Sequence, residues 1–445
     1  MRVQQIIDQF PSKVLSIFNY TAEYGIENSQ IDIQNIAQAT EEEKIEFQTA
    51  VHKGFRLGQS EILKEMTSCY ILLKEQNNLL KEARRNNQEA NIKQLRSKIE
   101  TLEYMVKVFR HFADFIVWQV VKGNHHHIRA MYSGSKARPS ILNSNIESVI
   151  TLVNEHHKSD PTCFALISDL TSFLDIGDVL LIKKDKFILI EVKQGAVQKK
   201  VFEFIDSVSN ENFQVEEYNY SGLNDKFFDQ VERTLRQFKK GAEYKRKMNT
   251  TSEIFPIQEN NKAMKPFDQT NRYYSKLVEA LENSKKNGVD MQTIEEIICI
   301  CAITKKHEAT YGQTVMEGFV KKHFKNQVKI YQFEEMFDLP VVEPIFFKPI
   351  GREWIFQLLF RQISIQMVID LDALIQLFNQ NNIETKWTST KESHKQSEKK
   401  SDISNIFRKD KRSIKLKIMN EWIYLTEYTI QRMIFDNVLP TTIIN

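Results

Sequence analysis

Ile62, Met66, Cys69, Leu73, Gln76, Leu80 and Ala83 recur at alternating spacings of four and three, and Ile92, Leu95, Ile99, Leu102, Val106, Phe109, Ala113 and Ile116 repeat that pattern in another register. Such a period puts a continuous apolar stripe on one side of an α-helix, so the first part of the chain must be long helix packed against helix. The phase breaks in Arg84-Arg-Asn-Asn-Gln-Glu-Ala90. That polar stretch either reverses the chain into an antiparallel hairpin or is a stutter in one long helix. The stripe fits packing within the chain as well as against a second copy or a partner protein. Only 13 Gly and 9 Pro among 445 residues agree with long helices rather than a loop-rich all-β design.

A second constraint lies in Asp175-Ile-Gly-Asp-Val-Leu-Leu-Ile-Lys-Lys-Asp-Lys-Phe-Ile-Leu-Ile-Glu-Val-Lys193, where two apolar runs flank a Lys-Lys-Asp-Lys turn. Continuous apolar runs are the mark of strands buried on both faces. If the turn centres between Lys184 and Asp185, Ile182 pairs with Phe187 and Asp178 falls opposite Glu191; a loop one residue longer shifts this by one position. Residues two apart on a strand project from one face, so Glu191 and Lys193 point the same way. Two carboxylates and an ammonium then converge. Like charges so placed are destabilising unless compensated, and hard oxygen ligands of this kind suit Mg²⁺. Glu-x-Lys also occurs at Glu42, Glu243 and Glu384, but in polar surroundings where a solvated helix or loop explains it. The alternative to a metal is a structural ion pair between Lys193 and either acid.

At these residues the chain resembles the PD-(D/E)XK nuclease superfamily, of restriction-endonuclease-like fold, over roughly residues 140–335. The resemblance implies that Asp178, Glu191 and the Val192 carbonyl hold Mg²⁺ or Mn²⁺ while Lys193 positions the attacking water. It implies a further acid on the preceding helix, for which Glu147 stands, and a Gln on the following helix, for which Gln230 stands. The activity implied is phosphodiester hydrolysis, with a DNA endonuclease as the leading form and bacterial defence against foreign DNA as a role by fold analogy. A degenerate core serving as a nucleic-acid-binding or oligomeric scaffold is the other reading.

The rest of the chain is read around that core. Residues 1–135 form the helical N-terminal region. Residues 136–345 form the nuclease-like domain, an α/β mixed sheet flanked by helices. Within it, Ser144-Asn-Ile-Glu147 has capping-box spacing and opens a helix with Ile146, Val149, Ile150 and Val153 on one face. Strands are expected at 163–168, 297–303 and 328–333, and helices at 224–247 and 312–324, with 248–290 a polar insertion. Asp169 and Asp175 lie near the motif as supporting acids. The 224–247 helix carries Arg233, Arg236, Lys239 and Lys240, a basic face suited to sequence-blind phosphate contacts, although a solvated face gives the same pattern. Residues 346–445 form a helical extension, with a helix over 354–378 and a flexible polar tract at 388–412. Its end, 414–445, packs back as a small element.

Sixty-one basic and 58 acidic residues leave +3, so only a local patch could attract nucleic acid. Cys69, Cys163, Cys299 and Cys301 are too scattered for a disulfide framework, and Cys299-Ile-Cys301 in an apolar run reads as buried thiols. Neither a signal peptide nor a membrane span is expected, so the chain reads as cytoplasmic. His125-His-His127 has no companion at ligand spacing, and no Walker or dinucleotide loop is present.

Overall fold

The helical stripe resolves into a hairpin. In the computed structural model, which describes residues 2–29, 38–132, 140–175, 177–183, 186–192, 271–305, 318, 322, 324, 327–399 and 406–444, α1 is Arg2–Phe18, α2 Glu41–Arg85 and α3 Glu89–Val120. A capping box starts α2: the Thr40 hydroxyl accepts from Glu43 N at 3.3 Å, and the Glu43 carboxylate accepts from Thr40 N at 2.7 Å. The predicted phase break is the turn, where Asn87 adopts φ 53° and Gln88 N donates to Ala83 O at 3.0 Å. Beyond it Leu95 and Ile99 pack on Leu80 and Ala83, so the two helices run antiparallel. Leu72, rather than Leu73, fills the buried position of the first stripe. From Val108 to Trp118 every residue of α3 is buried, the signature of a helix surrounded on all sides.

The chain divides into two compact units, Met1–Met264 and Lys265–Asn445. In the first, α4 (Ile146–Ser159) precedes a three-stranded antiparallel sheet of β1 (Phe164–Ile167), β2 (Val179–Lys183) and β3 (Lys186–Ile190) in that spatial order. The predicted capping box at the start of α4 does not form. Asn145 is the N-cap and makes no side-chain cap bond, while the Ser144 hydroxyl donates instead to Ile141 O at 2.9 Å.

β1 is an outer strand, and a bare edge is an open hydrogen-bonding row. Gln59 of α2 closes it. Its Nε2 donates to Ala165 O at 3.0 Å and its Oε1 accepts from Ile167 N at 2.9 Å, so one buried amide takes the place of a neighbouring strand. Arg56, one turn earlier on the same helix, donates to the carbonyls of Asp160, Pro161 and Cys163.

In the second unit, α5 (Tyr274–Asn287) leads into a four-stranded, fully antiparallel sheet. Its strands are β4 (Val289–Ile294), β5 (Ile298–Thr304), β6 (Val328–Gln332) and β7 (Ile363–Asp370), ordered β4-β5-β7-β6. The strands expected at 297–303 and 328–333 therefore exist, but they pair with β4 and β7 and not with the 179–190 hairpin. In place of a single mixed sheet, the described strands form separate antiparallel sheets. The expected 354–378 helix is instead α6 (Arg352–Leu359), then β7, then α7 (Leu371–Gln380). Arg361 at φ 53° ends the first helix, and β-branched Ile363, Ile365, Val368 and Ile369 favour the buried strand that follows. Cys299 and Cys301 are buried in this sheet, with burial raising both thiols to about 12, as inert buried thiols should be.

A third sheet, β10-β9-β8, joins β8 (Thr385–Trp387), β9 (Ile414–Ile418) and β10 (Glu421–Tyr424). Within the tract expected to be flexible, residues 400–405 lie outside the described residues, and the described part holds α8 (Thr390–Lys399) and the buried Thr388 and Ser393, which meet the buried Ser413 just beyond the tract. Ser413 N donates to Thr388 Oγ1 at 3.0 Å, and the Ser393 and Ser413 hydroxyls bond at 2.8 Å. The end of the chain does pack back. Through α9 (Glu427–Phe435), Tyr273 OH donates to Met433 O at 2.6 Å, and Asp436 accepts from Glu343 N at 2.7 Å and Arg432 Nε at 3.0 Å.

Gln59→Ala leaves a buried carbonyl and a buried N–H unpaired, each worth about 1–3 kcal/mol. Native-state hydrogen exchange should report a drop of that order in the opening free energy of 164–167; unchanged protection there would refute the edge-closing role.

Candidate functional site

The hairpin has the predicted register. Ile182 pairs with Phe187 and Val179 with Ile190, and Lys183 faces Lys186. Beyond Val179 the ladder slips by one: Asp178 N donates to Ile190 O at 2.8 Å rather than to Glu191. Gly177 permits this, because its φ is +70° and a Cβ there would lie 3.1 Å from Ile190 O.

Asp178 thereby becomes the joint of all three strands. Its carbonyl accepts from Ser168 N at 3.0 Å, just past β1, and its Oδ2 accepts from Val192 N at 2.6 Å, just past β3. Asp178, Glu191 and Val192 are each half-buried. The structure thus brings Asp178 and Val192 into contact, with Glu191 next in the chain, at one end of the hairpin. Lys193 lies outside the described residues, as do Gln230, Arg233, Arg236, Lys239 and Lys240.

Glu147 stands exposed on the first turn of α4, among residues whose buried face is Val149 and Val153. Among the described residues no three His, Cys, Asp or Glu side chains gather closely enough to hold a metal ion, so Glu147 does not join Asp178 and Glu191 in such a group. The donors that remain are carboxylate and carbonyl oxygens, a hard set that fits Mg²⁺ or Mn²⁺. A carboxylate has about four lone-pair sites, so the bond from Val192 N–H does not exhaust the capacity of Asp178 to accept a cation.

The loop that follows β1 is held by α3. Arg110 Nη1 donates to both Asp169 O and Thr171 O at 2.7 Å, and Asp114 Oδ1 accepts from Ser172 N at 2.7 Å. Both side chains are buried. Sequence reasoning misses these positioning residues, whose only signal is an Arg and an Asp one turn apart in the largely apolar stretch Val108–Trp118.

At the opposite end of β1 burial lowers the pKa of two histidines, and the fold requires His157 neutral. His157 Nε2 accepts from Ala165 N at 2.9 Å, which an imidazolium could not do, and His52 Nδ1 donates to Thr162 O at 2.6 Å. Burial, with nearby Arg56, His156 and His52, lowers His157 to about 4 from 6.5; burial also lowers His52. Asp160 is held well below the usual carboxylate range by Thr162 and Lys183, the latter 3.1 Å away.

Comparison with protein-family models, curated proteins and solved structures gives no match. No helix among the described residues is long and apolar enough to cross a membrane.

Gly177→Ala should destabilise the hairpin by about 1–2 kcal/mol, since alanine incurs the left-handed penalty and its methyl meets Ile190 O. Pulse proteolysis in urea measures this, and an unchanged midpoint would contradict it. For His157 the unfolded chain binds more protons between pH 6.5 and about 4, so stability is complete above 6.5 and falls as pH drops through that window. His157→Gln keeps an acceptor for Ala165 N–H without a titrating group. Exchange protection of β1 should lose much of its pH dependence in that variant; an identical profile would assign the effect elsewhere.

Proposed function

We propose that the first unit is a metal-dependent phosphodiesterase of the restriction-endonuclease-like kind, acting on DNA. The observation that carries this reading is the joint at Asp178, where an acid ahead of one strand meets Glu191-Val192 at the end of the next. The element order supports it as well, since α4 followed by the β1-β2-β3 meander is the helix-and-three-strand opening that the resemblance implies. The fourth strand does not come from 297–303, which belongs to another sheet.

Asp178, Glu191 and the Val192 carbonyl would hold Mg²⁺ or Mn²⁺. When bound, such a cation lowers the pKa of its water and offsets charge on the phosphoryl oxygens. The chain's own contribution is positional. Ser168, Ile190 and Val192 fix the Asp178 backbone and carboxylate, and Lys193 is assigned to orient the attacking water. Arg110 and Asp114 stiffen the neighbouring loop.

The same contacts also fit a second reading, a purely structural joint in a non-catalytic scaffold, because the bond from Val192 N–H already gives the half-buried Asp178 carboxylate a structural role. Asp178→Asn separates the two, since the amide oxygen still accepts from Val192 while the charge is gone. Asp178→Asn and Lys193→Ala should each lower Mg²⁺-dependent plasmid cleavage on the order of 10²-fold or more, with β1 exchange protection retained. Undiminished cleavage in both variants sinks the assignment, and calorimetry showing Mn²⁺ uptake unaltered by Asp178→Asn would move the metal elsewhere.

A further inference from the structure

The β10-β9-β8 sheet has one face turned inward and one turned out. Thr385, Ile414 and Leu416 are buried, and the alternate positions carry a different chemistry. Across the outer face one row reads Glu384, Lys417, Trp422 and the next Lys386, Lys415, Tyr424. Each row ends on an aromatic of β10. The Trp422 indole reaches across β9, its ring centre 4.7 Å from Lys415 Nζ and 4.4 Å from Lys386 Nζ on β8.

Lys386 and Lys415 stand directly opposite one another, an arrangement that destabilises a sheet. Local acids relieve it in part: Glu392 accepts from Lys415 at 2.7 Å and from Tyr424 OH at 3.3 Å, and Glu384 lies 3.1 Å from Lys386 and 3.5 Å from Lys417. The balance is still positive. Residues 384–424 hold 11 Lys and Arg against 6 Asp and Glu, +5, while the whole chain is only +3. Arg408, Lys409, Lys411 and Arg412, in the turn that leads into β9, supply much of that excess. The side chains of Lys386 and Lys417 remain 51% and 38% exposed, and Trp422 36%.

We propose that this face binds single-stranded nucleic acid, with Lys386 and Lys417 meeting backbone phosphates and Trp422 and Tyr424 stacking on bases, while Lys415, 14% exposed and paired with Glu392, stays beneath the indole. Cations set beside ring faces are what such a strand requires, since every base has a π-face and every link a charge. A duplex would offer the phosphates but keep its base faces stacked inside. An anionic membrane would favour a continuous apolar surface, whereas here the exposed apolar side chains at the β9–β10 turn are Ile418 and Met419. The proposal does not rest on the phosphodiesterase reading of the first unit.

The full chain carrying Asp178→Asn, in EDTA, is titrated against fluorescein-labelled (dT)20, (U)20 and a 20-base-pair duplex. Vesicles of phosphatidylcholine and phosphatidylserine are tested in parallel. Expected is salt-dependent binding of at least one single strand in preference to the duplex. Trp422→Ala should weaken it roughly 5- to 150-fold, the value of about one base stack, and Trp422→Phe should restore most of the loss. Lys386→Glu with Lys417→Glu should reduce the salt slope by about 0.7 per lost phosphate contact. Absence of single-strand binding, binding indifferent to both sets of variants, or variant-sensitive binding of vesicles in place of strands overturns the proposal.

Discussion

In the first unit a single side-chain amide closes the outer edge of the sheet and ties it to the helical hairpin. Sheets end in unsatisfied backbone groups, and the usual remedies are another strand, a charge, or a covering element. Here Gln59 supplies both a donor and an acceptor to Ala165 and Ile167, with 2.9–3.0 Å bonds on each side. Because Gln59 is on α2, the two bonds link the helical hairpin directly to the sheet. Arg56 and His52 extend the contact to the residues that precede β1. Burial of this much polarity is tolerable because each backbone group finds a partner, and removing one partner leaves the other desolvated.

That edge closure has consequences for Asp178. With β1 fixed on its outer side by α2 and its following loop tied to α3 by Arg110 and Asp114, the freedom left at this end of the sheet lies toward β3. Asp178 spans that gap through its own N–H and carboxylate. The carboxylate therefore has two claims on it. It caps Val192 N–H, and in the proposed chemistry it binds a cation. An acid that is already oriented by a backbone donor loses little freedom on taking up a metal, which is the usual logic of an outer partner that orients a ligand.

Much of this is legible in the residues. Alternating three-and-four spacings locate both long helices, and the register of Ile182 with Phe187 follows from counting outward from Lys184-Asp185. What the residues hide are interactions between side chain and backbone. The apparent helix over 354–378 contains a strand because Arg361 adopts a left-handed conformation, which propensity does not forecast. The polar composition of the 388–412 tract suggests solvent exposure, yet its Thr388 and Ser393 are buried and bond to Ser413 just beyond it. Ser144 gives its hydroxyl to Ile141 rather than to a helix cap. In the last two instances a polar group has several possible partners at short range, and only the tertiary fold selects among them.

Net charge illustrates the same limit from the other direction. At +3 over 445 residues it gives no reason to expect an anionic partner, because the excess of residues 384–424 is offset elsewhere in the chain. Strand pairing gathers part of that linear excess into two cross-strand rows, one of which sets Lys386 beside Lys415 within reach of the Trp422 indole of the other. Electrostatic recognition depends on the local field, which decays over about a Debye length of 8–10 Å at physiological salt, a distance comparable with the width of two or three strands. Strand register, more than composition, therefore decides whether this part of the chain presents a phosphate-binding face.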